Sequence, residues 1–232
     1  MEHEERERQR AREEAMSYVR HAYRLGQRLP DKENAISRCA DAAVLYSTFV
    51  LKGPWTIVKG LVGERAEQSI AEDPRCARWY AQRILRGRFS KSHRALRQDA
   101  YQAALYAVRV LGGRFVEAEP AIFGNEWAVR YYVAHLPALQ HAFTKAAVSN
   151  GHAKLQWAVL CAYGETPELA TSMTRSPRSA RYYSKYKGLR VPSLEPMIAS
   201  SQTGLISYLH MLDAWDCVNG SFDDRKALAV FS

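Results

Sequence analysis

Apolar positions along this chain recur in blocks. In WYAQRILRGRF (79–89) and LYAVRVLGGRF (105–115), Tyr80-Ala81, Leu85, Gly87, Arg88 and Phe89 return as Tyr106-Ala107, Leu111, Gly113, Arg114 and Phe115, each offset by 26 residues. An aliphatic anchor stands ten residues before each tyrosine: Ile36 before Tyr46, Ile70 before Tyr80, Leu96 before Tyr106, Ile122 before Tyr132 and Ile198 before Tyr208. Tyr46 is followed by Leu51, Gly53 and Trp55 at the same offsets, and RVPSLEPMI (190–198) aligns without gaps on RFVEAEPAI (114–122). The anchors fall at 36, 70, 96, 122, near 148, near 172 and at 198. The long first step predicts an insertion of about eight residues within 56–68, and the units near 148 and 172 are degenerate.

Each unit reads as one short and one long helix. Asp73-Pro74 supplies an N-cap and an N1 proline ahead of a helix running to about Leu85. Asp99 opens the next long helix, and Gly87 and Gly112-Gly113 are expected as left-handed C-terminal caps. SKSHRAL (90–96) and VEAEPAI (116–122) are the short helices between. Such a unit cannot bury its apolar face alone, so neighbours must stack. The expected fold is all-α, an α-solenoid-like stack of short helix–long helix repeats. A charged N-terminal helix (1–33), amphipathic from Met16 through Tyr18, Val19, Tyr23 and Leu25, caps a repeat domain of six or seven units (34–216), followed by a C-terminal tail (217–232).

The pattern A-I-x9-Y-A-x3-L-x-G-[RP]-[FW]-x-E-A-E-P resembles tandem repeats of about 26 residues in bacteriophage and bacterial proteins. FVLKGPW (49–55) and SIAEDPRCARWYA (69–81) are especially similar to that style, and the resemblance covers 35–140 well and 147–212 loosely. It implies a helical repeat fold and a phage origin, and carries no catalytic residues.

Composition narrows the class. In 232 residues, 47% hydrophobic and 11% aromatic content excludes global disorder. MEHEERERQRAREEA has no apolar core, so no secretory signal is expected, and no apolar run is long enough to span a bilayer. Cys39, Cys76, Cys161 and Cys217 form no C-x-x-C pair, which suits reduced, buried thiols in a cytoplasm, the host's if the chain is phage-encoded.

Charge placement says more than the net +9. Residues 75–115 hold ten Lys/Arg against Asp99 alone, and 174–190 hold six with no acid. The first block makes Arg75, Arg78, Arg83, Arg86, Arg88, Lys91, Arg94, Arg97 and Arg114 the expected contact surface for an anionic partner. Arg175, Arg178, Arg181, Lys185, Lys187 and Arg190 form a second patch. Arg88, Arg114 and Arg190 share one repeat position, where a cation either meets helix C-terminal carbonyls or joins a row of guanidinium groups. The segment 165–189 has a weak helix-turn-helix character, with SPRSARYYSKY as the second helix.

Catalytic signals are poor. His135 and His141 lie on different helix faces, Asp213 and Asp216 lack a third ligand, and no phosphate loop or nucleophile motif occurs. The expectation is a non-enzymatic binding protein without cofactor or metal, engaging an acidic protein surface through its basic face. The alternative is a nucleic-acid binder using the same patches.

Overall fold

The computed structural model describes residues 2–58, 60–187 and 191–202 together with Ile206 and Tyr208, and every regular element among them is helical. The chain divides into two compact units, Met1–Tyr132 and Val133–Ser232. The division falls inside the segment that the repeat pattern treats as one domain.

The first unit opens with α1 (Glu2–Leu25), α2 (Pro30–Ile36) and α3 (Ala40–Tyr46). It continues with α4 (Leu61–Glu72), α5 (Pro74–Tyr80), α6 (His93–Leu96), α7 (Ala100–Tyr106), α8 (Glu119–Gly124) and α9 (Glu126–Ala134), whose last two residues cross the division. Helices α3, α5 and α7 are the long helices of the repeat, and α3 packs on α5 and α5 on α7. The second unit holds α10 (Gln140–Asn150), α11 (Ala153–Tyr163), α12 (Pro167–Met173), α13 (Pro177–Lys187) and α14 (Glu195–Ala199). The C-terminal tail, Cys217, Asp213 and Asp216 lie outside the described residues.

Local chemistry sets the helix starts. The carboxylates of Asp73 and Asp99 accept the amides of Cys76 and Gln102, and the Asn125 side chain accepts that of Ala128, so three successive long helices are capped alike. The insertion falls where expected and lengthens the short helix into α4, twelve residues against four in α6 and six in α8.

The helix ends depart from expectation. Helices α3, α5 and α7 each close in a π-turn, Ser47–Leu51, Ala81–Leu85 and Ala107–Leu111. The left-handed residue is the next one, Lys52 at φ 52°, Arg86 at φ 50° and Gly112 at φ 58°. Gly53, Gly87 and Gly113 come one place later, without positive φ, and donate their amides to the carbonyls of Ser47, Ala81 and Ala107. The π-turn adds a residue to the last turn and moves the left-handed position ahead of the recurring glycine.

Anchors and tyrosines build the core. Ile36, Ile70, Leu96 and Ile122 are wholly buried, as are Tyr46, Tyr80, Tyr106 and Tyr132. Each of the first three tyrosines packs on the aromatic that follows it: Tyr46 on Trp55, Tyr80 on Phe89 and Tyr106 on Phe115, with ring centres 5.3–5.5 Å apart. In the second unit Trp157 and Tyr182 stack at 5.4 Å in the degenerate repeats, and Ile198 is wholly buried.

Two smaller expectations change. The α1 residues that become buried are Ala15, Val19 and Ala22, while Tyr23 and Leu25 stay exposed, Tyr23 meeting Phe49 edge-on at 5.7 Å. Of the cysteines, Cys76 is buried as expected, Cys39 is half-buried and Cys161 is exposed, because α11 turns that position outward.

Candidate functional site: a basic and aromatic face

One hydrogen-bonded unit explains Arg114, which precedes Phe115. The hydroxyl of Tyr132 accepts the Phe115 amide at 2.9 Å and donates to Glu119 at 3.1 Å. Arg114 closes the set with two bonds to the Glu119 carboxylate, 2.7 and 2.6 Å. Leu29, Tyr46, Glu33 and Arg28 repeat the arrangement at the other end of the first unit. Tyr80 accepts the Trp55 amide and reaches Glu67, whose carboxylate is also held by Lys91 at 2.6 Å. Burial pushes these phenols up, Tyr46 to about 12, so they stay protonated donors.

Arg114 therefore meets neither helix carbonyls nor an open row of cations; its charge is held by a buried glutamate five residues on. His93 replaces the glutamate in the middle repeat. There Arg88 points its Nε at the His93 ring nitrogen, 3.5 Å away, and also nears Glu117 at 3.8 Å. Arg190 lies outside the described residues.

The remaining cations of the first block divide cleanly. Arg75 shares Asp41 with Arg12. Arg78 is half-buried and donates to Gln102 on α7 at 2.8 Å and to Gln82 at 3.0 Å. Burial first, then the neighbouring Arg109, lowers its pKa. Arg83, Arg86, Arg94 and Arg97 are exposed and meet no acid among the described residues.

Arg83 and Arg86 join Lys52 around a cleft of about 590 Å³ between the ends of the first two long helices, floored by Phe49, Pro54, Trp79 and Ile84. The helices that follow, α7 and α9, carry an aromatic cluster. Tyr101 lies 4.3 Å from Trp127, and Trp127 stacks on Tyr131 at 5.1 Å and 9°. Arg109 donates to the Tyr131 hydroxyl at 3.3 Å. Tyr101 and Trp127 remain 45% and 47% exposed, and Phe49 49%.

The arginine block was legible in the sequence; Lys52, Phe49, Tyr101, Trp127 and Tyr131 were not singled out. Their signal is the repeat itself, read on its outer positions. Arg75, Tyr101 and Trp127 are one row at the 26-residue offset, and Arg83 and Arg109 another, with Phe49 preceding Arg83 across the insertion.

The second patch is largely engaged. Arg181 lies over the Tyr182 ring, Lys185 over Trp157, and Lys187 pairs with Glu165 and lies over Tyr183. Arg175 and Arg178 are exposed. Helices α12 and α13 do follow one another through a short turn, but three of the four α13 cations, Arg181, Lys185 and Lys187, rest on the protein's own rings.

Among the described residues no three His, Cys, Asp or Glu side chains gather to hold a metal, and no described helix is long and apolar enough to cross a membrane. No protein-family model matches the chain, and neither a curated protein nor a solved structure does.

Proposed function

We propose that this chain is a non-enzymatic helical-repeat binding protein that docks an anionic macromolecular partner on the outer face of its long helices. The observation that carries the reading is the pairing of acid-free guanidinium groups with exposed rings: Arg83, Arg86 and Arg109 alongside Phe49, Tyr101 and Trp127. Arginine, tryptophan and tyrosine are the side chains that contribute most per contact at interfaces, and cations left unpaired by the fold are free to meet a partner's charge. An acidic protein surface, the partner favoured from the sequence, satisfies that chemistry. The stacked rings are the observation that favours nucleic acid.

The test sets wild type beside Arg83→Glu/Arg86→Glu/Arg109→Glu against two polyanions, poly-L-glutamate and oligothymidylate, from about 50 to about 200 mM salt. The expected result is binding of at least one polyanion that weakens with salt and falls at least about tenfold in the variant. No binding of either at the lowest salt removes the proposal.

A further inference from the structure

We infer that the partner is single-stranded nucleic acid, its phosphates on Lys52, Arg83, Arg86 and Arg109 and its bases on Trp127, Tyr101 and Trp79; this rests on the reading of the face as a polyanion dock. Three independent features converge on it.

The first is the company the rings keep. The Tyr101–Trp127–Tyr131 cluster is bordered by Arg78, Arg109 and Gln102. A half-exposed ring stack among guanidinium and amide groups offers flat π surface next to fixed positive charge, the combination a single strand uses, because every base has a π face and every nucleotide a phosphate. A duplex hides those faces in its own stack, and a carboxylate-bearing protein segment has no planar group for each charge.

The second is the proximity of Arg78 and Arg109. Arg109 contributes to holding the half-buried Arg78 below its ordinary pKa, and the two guanidinium groups donate to the amide oxygens of Gln102 and Gln82 and to the Tyr131 hydroxyl rather than to a carboxylate. Two neighbouring guanidinium groups solvated by neutral acceptors are stabilised by an arriving phosphate.

The third is the choice of residue at the left-handed helix ends. Gly112 shows that glycine fits this repeat position, yet the two preceding repeats place Lys52 and Arg86 there, both lining the same cleft. Left-handed backbone disfavours a side chain, so the cations are kept against the local preference.

The experiment titrates the full chain with oligothymidylate and oligouridylate of about 20 nucleotides, longer than most single-strand sites, with a duplex of the same length, and with poly-L-glutamate, following tryptophan emission and anisotropy. Expected are binding of both single strands with quenched emission, a salt slope near −0.7 per neutralised phosphate, and no quenching by duplex. Trp127→Ala weakens single-strand binding about 5- to 100-fold and leaves poly-L-glutamate unaffected, while Trp127→Phe keeps most of the affinity. Arg83→Gln/Arg86→Gly, which opens no core and removes a strained residue, lowers the slope by about 1.4. A thymidylate–uridylate difference assigns DNA or RNA as the source of the shared chemistry. Poly-L-glutamate bound while single strands are not overturns this inference and leaves the docking face standing; neither bound removes both. Single-strand binding indifferent to Trp127→Ala also overturns it.

Discussion

Tyr132 and Phe115 are joined across seventeen residues by one hydroxyl, which accepts the Phe115 amide at 2.9 Å while donating to Glu119 at 3.1 Å. Tyr106 bonds the Phe89 amide over the same separation, but His93 stands where Glu119 would be. These bonds tie the loop after one long helix to the next long helix, so they connect repeat to repeat rather than closing one helix on itself.

Tyr132→Phe keeps the ring and strips the hydroxyl, leaving a buried amide and a buried carboxylate each short of a partner. The expected loss is about 1–3 kcal/mol in urea unfolding. Tyr106→Phe orphans only the amide and costs less. Equal losses in the two variants would show that the glutamate adds nothing to the tyrosine's role.

The helix ends give a second comparison. Gly112 is left-handed and Gly113 is not, and the atom nearest an added Cβ at Gly113 is 3.8 Å away. Gly112→Ala is expected to destabilise by about 1 kcal/mol and Gly113→Ala by less. Arg86→Gly and Lys52→Gly run the other way, each gaining up to about 1 kcal/mol because the strain removed exceeds the extra freedom of the unfolded chain. Calorimetric melting of the four variants checks the order; an Arg86→Gly protein that melts lower than wild type contradicts it.

His93 gives the fold a pH dependence. Burial, then the charge of Arg88, lowers its pKa below the ordinary 6.5, with Arg97 adding to the effect and Glu117 opposing it. The rings of Tyr106 and Phe115 pack on it at 5.9 and 4.9 Å. The folded state therefore binds fewer protons than the unfolded state below pH 6.5, so the contribution is complete above that pH and is lost as pH falls towards the depressed folded value. His93→Gln should flatten the decline in urea midpoint between about pH 7 and 5 relative to wild type. Parallel curves for the two proteins would exclude this source.

The repeat was readable because its determinants are short-range. Asp73 and Asp99 cap their helices from three residues away, and Ile36, Ile70, Leu96 and Ile122 each precede a core tyrosine by ten residues, a fixed span from the end of one helix across a short turn to the end of the next. The insertion was readable for the same reason, since it shifts one interval and no other.

The sequence by itself determined the helical class, the period and the buried anchors, because each depends on spacing within a single repeat. Tertiary structure decided which charges remain available. Arg114 and Arg86 look alike in RGRF-type segments, yet one is tied to Glu119 and the other is exposed at a left-handed helix end. Pairing of Arg75 with Asp41 and of Lys91 with Glu67 spans 34 and 24 residues, so it exists only once neighbouring repeats have packed. The same packing brings Tyr101 against Trp127 and leaves both half-exposed, a product of which helix face the next repeat covers rather than of anything local to either residue.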